Sequence, residues 1–455
     1  MAFADIKRSA SAAHKYTFRV SAIEGSTTRV LWEGDSMMEG EKQVATFAEA
    51  ARASGSKETI ALDSFRLDLE RMWCERQFTS RPPSVTPIRR TLGARGRPKI
   101  LYLPLEFPTW LGGGHSWSYS AALAYERGLT RAGCDVTTLN TACAPFLKKV
   151  IRQQRYDQVW FHCHPRHISD FAFRQWVSDI APVRLMLCGE SVEYSEEEVA
   201  REPWLASHTR TAELWEPFIT HAAFVDPADT MRLTPRIRGG HVNAMHWLQA
   251  VPEKFVLPVN ERPKRSSAVF VGTLYPPRDR WAWDLAEVME RLDSPESDTF
   301  SWLFEKSHEV IQRVFERTGT RAPWWGAKAV GLYNRFQHGL RGHAFRNFLG
   351  ALRDGVATVG LPSMVKTYSG RVVEGMAAGR PVLTQRIPGH PEVFAGDELL
   401  HYDTVEDLGE SIRRLQREPA FANAIATRAR ANLLAHHTVE TRTAELLRFV
   451  EGRGD

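Results

Sequence analysis

The chain has 455 residues, 43% of them hydrophobic and 25% charged, with 59 basic against 54 acidic side chains. That length exceeds one ordinary core and implies two large domains with accessory segments, in a protein of soluble globular composition. A net charge of +5 is too small against the total to argue for nucleic acid as a partner.

In chain order, residues 16–20 (YTFRV) and 28–32 (TRVLW) read as strands of a hairpin around Glu24-Gly25-Ser26, with helix-like stretches expected near 41–53 and 63–77. Together they form a small α+β accessory module over 1–80. A linker follows at 81–98, inside a stretch from Arg76 to Lys99 that holds seven basic residues, no acidic ones and four prolines. Its two readings are a solvated connection and a phosphate- or membrane-binding arm. From there short apolar runs alternate with helical stretches: KILYLPL (99–105), QVWFHCH (158–164), RLMLCGE (184–190) and AAFVD (222–226). Such runs are the mark of parallel strands buried on both faces. A second series begins at SAVFVGTL (267–274) and continues in GVATVGLP (355–362), RPVLTQ (380–385) and ELLHYD (398–403). Two βα series predict an α/β protein of two doubly wound, Rossmann-like domains, at 99–258 and 259–437, with a closing helix at 438–455. Prolines and charges over 251–267 mark the boundary. A long aromatic-rich helical insertion, about 295–350, is expected between the first two strands of the later series. Five scattered cysteines without a CxxC pair fit reduced thiols. The first twenty residues lack a signal-peptide apolar core, and no uncharged run reaches membrane-spanning length. A cytoplasmic protein without a membrane span is therefore expected.

Several strand ends carry candidate chemistry. Gly112–Gly114 precede His115 at a strand-to-helix turn, either a loop where backbone approaches a ligand and His115 serves as an acceptor-side residue or general base, or a bare tight turn with a structural or exposed histidine; the dinucleotide fingerprint G-x-G-x-x-G is absent. In HCHPRH (162–167) two histidines alternate with Cys163 along a strand, so the cysteine faces the other way and no metal site is expected. Glu190 ends the next strand, either as a second candidate base or as an acid at a helix start. In VFVGTLYPPRDR, Gly272 closes a strand and Arg278 follows, suited to phosphate oxygens or simply exposed in a loop.

The most informative stretch is SGRVVEGMAAGRPVLT (369–384). Ser369 or a neighbour caps a helix of about nine residues, Gly379 ends it, and a strand follows. Amides near Tyr368, Ser369 and Gly370 make an anion site at the helix start. Glu374, one turn further in, can accept hydrogen bonds from vicinal hydroxyls, and the small Gly375, Ala377 and Ala378 allow close packing. This geometry suits a nucleotide diphosphate whose ribose meets one carboxylate; the competing reading is a Glu374 that faces solvent.

Taken together, these stretches resemble the GT-B glycosyltransferases, most clearly in YSGRVVEGMAAGRPVLT, which is similar to the R-x-x-E-x-x-x-x-G signature of a bacterial subgroup with family-one-like C-terminal domains. The resemblance runs over 355–451, more weakly over 99–290, and leaves 1–98 uncovered. It implies two Rossmann-like domains facing a cleft, and transfer of a sugar from a nucleotide-diphosphate sugar to a glycan, protein or small-molecule acceptor. The donor would meet Gly272, Arg278, Tyr368, Ser369, Gly370, Arg371 and Glu374, and no cofactor or metal would be needed. Many retaining members carry E-x7-E; Glu374 matches the second acid and Lys366 stands at the first, where it can act on the leaving group. His115, Glu190 and Lys366 are the expected catalytic groups. The alternatives are a nucleotide-sugar epimerase of the same fold and a non-catalytic GT-B-like binding protein.

Overall fold

A computed structural model describes residues 16–24, 27–34, 59–66, 97–104, 124–138, 156–163, 179–192, 194–201, 218–230, 242–272, 278–292, 323–362, 368–387 and 396–452, with isolated positions besides, Lys366 among them. The chain divides into two compact units: Met1–Leu105, Cys134–His246 and His308–Leu332 form unit 1; Glu106–Gly133, Trp247–Ser307 and Tyr333–Asp455 form unit 2.

Unit 1 opens with β1 (Tyr16–Glu24), β2 (Thr27–Gly34) and β3 (Thr59–Arg66), an antiparallel sheet in the order β2-β1-β3. Val20 and Ala22, two apart on β1, are buried, and Ala22 is paired with the buried Ile60. This period-two burial is what a strand presents to a core. The helix expected near 63–77 is corrected at its start, since β3 runs to Arg66; residues 67–77 lie outside the described residues. The chain continues through β4 (Lys99–Leu103), α1 (Ala124–Arg131, part of unit 2), β5 (Asp135–Thr138), β6 (Gln158–Cys163), β7 (Val183–Cys188), α2 (Glu196–Arg201), β8 (His221–Phe224) and β9 (Asn243–His246). The six strands pair in parallel in the order β5-β4-β6-β7-β8-β9. All four residues of β8 are buried, as are the last four of β7, which is the signature of strands covered on both faces.

In unit 2 the order along the chain is β10 (Ala268–Val271), α3 (Arg278–Asp284), β11 (Met289–Leu292), α4 (Pro323–Asp354, in unit 2 from Tyr333), β12 (Thr358–Gly360), α5 (Gly370–Ala377), β13 (Val382–Gln385), β14 (Leu400–Tyr402), α6 (Val405–Arg417), α7 (Pro419–His436) and α8 (Val439–Val450). The sheet is parallel, ordered β11-β10-β12-β13-β14. The chain is thus α/β, with two doubly wound, Rossmann-like sheets. One expectation needs correcting: β11 intervenes, so the long helix α4 follows the second strand of this sheet. Among the described residues no helix is long and apolar enough to cross a membrane.

The core of unit 2 shows why its helices form where they do. Thr404 caps α6 with a complete capping box to Asp407, and Leu408, Ile412 and Leu415, at helical spacing, join Phe270, Val359, Leu383 and Tyr402 in one buried cluster. Residues 251–267 lie inside unit 2 and are fastened along it. The amides of Leu257, Asn260 and Arg265 donate to the carbonyls of Ala377 (2.8 Å), Gly379 (3.1 Å) and Asp354 (2.9 Å). Buried Arg380 donates to the carbonyls of Asn260 and Val356, and Arg353 to that of Pro258. Burial, then the neighbouring Arg353, pulls the Arg380 guanidinium down to about 10.

Helices α7 and α8 break at His437. Thr438 caps α8 by accepting from the Thr441 amide, and Val251 bridges the break, its amide donating to His437 O and its carbonyl accepting from Val439. The His437 ring is buried, and its Nδ1 accepts from Arg442 Nη2 at 2.9 Å, so the imidazole is neutral. Burial, Arg442 and His436 hold its pKa down to about 3, against an ordinary 6.5. Below the ordinary value the unfolded chain takes up a proton that the folded one refuses. Stability is therefore flat with pH above about 6.5 and falls between there and about 3, by roughly 1.4 kcal/mol per pH unit from this group. Urea midpoints at pH 7 and pH 5 should show this slope, reduced in His437→Gln; an unchanged slope in the variant would remove His437 as its cause.

Candidate functional site

The order β11-β10-β12-β13-β14 reverses between β10 and β12, and in open parallel sheets the crevice outside the strand ends at such a reversal is where ligands sit. Gly272 leaves β10 there, half-buried. Arg278, the first residue of α3, reaches over to the chain leaving β12. Its Nε donates to Pro362 O at 2.6 Å, and its guanidinium carbon stands 5.8 Å from the centre of the Phe270 ring. Arg278 is thus half-buried and tied to backbone at the reversal, rather than exposed in a loop. Tyr402 donates its hydroxyl to Gly360 O from the far side of β13, and burial pushes that phenol's pKa up. The backbone just beyond β12 is therefore held from two directions.

Helix α5 enters this edge. Its N-cap, Ser369, has the extended backbone a cap requires, yet its side chain makes no capping hydrogen bond. The Val372 amide donates to Ser369 O at 3.0 Å, and the earlier amides of a helix start of this kind favour anionic oxygen. Gly370 presents its Cα to Gln249: a β-carbon there would fall 2.1 Å from Gln249 Oε1. One turn on, a β-carbon on Gly375 would fall 2.7 Å from Val382 Cγ2 and 3.0 Å from Thr358, so α5 lies directly against β12 and β13.

Glu374 is only 3% exposed, which excludes the solvent-facing reading. Arg371 Nη1 donates to its Oε2 at 2.9 Å, and the Arg371 guanidinium lies 4.7 Å from the centre of the Phe348 ring on α4. A carboxylate held in this way keeps its direction, since a guanidinium over an aromatic face has little freedom. Tyr368 is buried beside the helix start, its hydroxyl 3.1 Å from His401 Nε2 and its ring edge-on to Phe394 at 5.3 Å. Lys366 is half-buried in a bend eight residues before Glu374. The fold thus brings Tyr368, Ser369, Gly370, Arg371 and Glu374 together on one helix start. Sequence reasoning missed Gln249 and Phe348, which belong to other elements, 121 residues before Gly370 and 23 before Arg371, where local pattern gives no link.

In unit 1, Glu190 is half-buried just past the carboxyl end of β7. Around it Ser191 Oγ donates to Asp226 Oδ2 (2.8 Å), the Val192 amide to Asp229 Oδ2 (2.9 Å), and the Ala228 amide to Asp226 Oδ1 (2.8 Å). Burial, then Glu190, Asp229 and Asp226 in turn, push the Tyr194 phenol's pKa up. Glu190 therefore stands in an acidic neighbourhood of hydrogen-bonded carboxylates. His162 Nε2 lies 3.1 Å from the buried Tyr102 hydroxyl across β4 and β6, and burial holds its pKa near about 3. Among the described residues no group of three or more His, Cys, Asp or Glu could hold a metal ion. His115 and its glycine loop, and most of the basic linker, lie outside the described residues.

Residues 302–448 match the family model described as glycosyl transferase-like. No curated protein sequence matches the chain. Among solved structures, HepE of Anabaena, in complex with UDP and glucose, is similar over 78% of this chain and 100% of its own, at 12% identity and a TM-score of 0.47. The α,α-trehalose 6-phosphate synthase of Burkholderia multivorans is similar over 78% and 99%, at 10% identity and 0.48. TarM is similar over 68% and 58%, at 12% identity and 0.41.

Proposed function

We propose that this chain, glycosyl transferase-like over its C-terminal third, moves a sugar from a nucleotide-diphosphate sugar to an acceptor. The observation that carries the reading is the start of α5: an anion-favouring helix terminus whose cap does not cap itself, followed one turn later by a buried, oriented carboxylate. Diphosphate oxygens suit the amides at Ser369, Gly370 and Arg371, while Glu374 accepts hydrogen bonds from the ribose hydroxyls. Gly272 and Arg278, at the strand reversal, line the path of the phosphates.

In the transfer itself, the bond from the anomeric carbon to the diphosphate oxygen breaks as the acceptor's oxygen or nitrogen bonds to that carbon. The leaving diphosphate takes the electron pair, and the helix-start amides with Lys366 stabilise the charge. The acceptor's proton passes to a base, for which Glu190 and His115 are the candidates. An acceptor-dependent release of nucleoside diphosphate, measured over a panel of nucleotide sugars, tests the reading. An isomerised donor would point instead to an epimerase, and saturable binding without turnover to a binding protein.

Lys366 supplies a sharper expectation. If its charge acts on the leaving group, Lys366→Ala should lower turnover by about tenfold or more while leaving affinity for the bare nucleoside unchanged. Full turnover in the variant would make it a surface lysine.

A further inference from the structure

Unit 2 gathers four cations from three separate stretches of chain. Arg127 and Arg131 stand one turn apart on α1, Lys254 lies in the 3-10 turn Glu253–Phe255, and Arg346 sits on α4. The buried Phe255 ring holds two of them: Lys254 Nζ is 4.5 Å and Arg346 Cζ 5.8 Å from its centre. Phe345 fixes that ring in turn, edge-on at 5.2 Å.

The acid facing the group is Glu440, and both of its oxygens are engaged. Oε1 accepts from Arg131 at 2.6 Å and Oε2 from the Glu253 amide at 3.0 Å. Glu126, next to Arg127 on α1, is bonded to His338 at 3.0 Å. Arg127 Nε is buried and meets no hydrogen-bond partner among the described residues. The crowding is felt at Lys254, whose ammonium is lowered to about 8 by burial, then Arg127, Arg346 and Arg131, against the opposing pull of Glu440. Like charges assembled by folding, with one engaged carboxylate among them, describe a place that an external anion completes.

We propose that Arg127, Arg131, Lys254 and Arg346 form a binding site for a phosphate group. Its terminal oxygens, unlike the two of a carboxylate, can accept from guanidinium and ammonium donors that approach from different elements at once. The phosphate can belong to a lipid headgroup or to a free phosphorylated small molecule. The proposal is independent of the nucleotide-sugar reading, since it uses none of the residues assigned to the donor.

The test pairs two probes with two exposed positions, Lys254 and Arg346. Inorganic phosphate is titrated calorimetrically into wild type, Lys254→Ala/Arg346→Ala and the control Lys264→Ala, each first shown by circular dichroism to be folded. Sedimentation is then followed with vesicles of phosphatidylcholine alone or doped with phosphatidic acid. The double variant should lose about tenfold or more in phosphate affinity, with Lys264→Ala near wild type. Sedimentation with the acidic vesicles alone, abolished in the double variant, assigns the phosphate to a headgroup; phosphate affinity without sedimentation assigns it to a free ligand. Binding of both probes by the double variant as by wild type overturns the proposal, and so does a wild type that binds neither. A failure of the donor reading would appear separately, as an unchanged nucleotide affinity in Glu374→Gln.

Discussion

Replacing Glu374 with glutamine should weaken binding of the nucleoside diphosphate by about tenfold or more while the protein stays folded. Charge-assisted hydrogen bonds are worth roughly 1.5–3 kcal/mol each, and the ribose hydroxyls would lose theirs when the carboxylate becomes neutral. Glutamine is the informative substitution because of what surrounds the side chain. Glu374 is buried and paired with Arg371 at 2.9 Å, so an alanine would strand a guanidinium that is itself mostly enclosed and mix a stability loss into the binding result. Glutamine keeps the volume and an oxygen for Arg371 to donate to. Calorimetric titration with a panel of nucleosides and their diphosphates reads the effect. A variant that binds them as wild type does would leave Glu374 a structural partner of Arg371 and end its ribose assignment.

Gly379→Ala should unfold unit 2 more easily, by about 3 kcal/mol or more. Gly379 has φ +71°, and a β-carbon there would fall 2.4 Å from Pro258 O and 3.1 Å from Val259 Cα. The left-handed backbone alone costs an alanine roughly 1–2 kcal/mol. The collision adds to this, because the opposing atoms are backbone and cannot turn aside. They are pinned by the hydrogen bonds of Leu257 to Ala377 and of Asn260 to Gly379. Gly396→Ala is the control, since among the described residues nothing lies within 4 Å of a β-carbon at that position. Urea unfolding that places both variants at the wild-type midpoint would contradict the close approach.

The helix of residues 369–378 was legible because its signals are local: a Ser cap, small residues at helical spacing and a glycine stop, which became α5 with Ser369 as its N-cap. The central strands were legible for a similar reason. β7, β8, β10 and β12 are apolar runs whose residues are mostly buried. The strands that escaped notice, β5, β9 and β11, are all at sheet edges. DVTT, NAMH and MERL expose part of each strand and carry polar residues, so hydrophobic periodicity has nothing to report. β3 was misread for a related reason. Its alternating pattern is short, and the run beyond it toward residue 77 is compatible with a helix.

By itself the sequence determined that two parallel αβ series exist and that the second holds a short, small-residue helix with one carboxylate inside it. Those properties depend on the burial of each segment's own faces, which periodicity records directly. Only the tertiary structure decided that Glu374 is paired with Arg371 over Phe348, and that Gln249 stands at the start of α5. It likewise decided that residues 257–265 are fastened along unit 2, and that Lys254 and Arg346 share the Phe255 ring. Each of these depends on which distant segments pack against one another. Side chains far apart in the chain become neighbours only when the sheet order and the helix packing are set, and no local pattern encodes that choice.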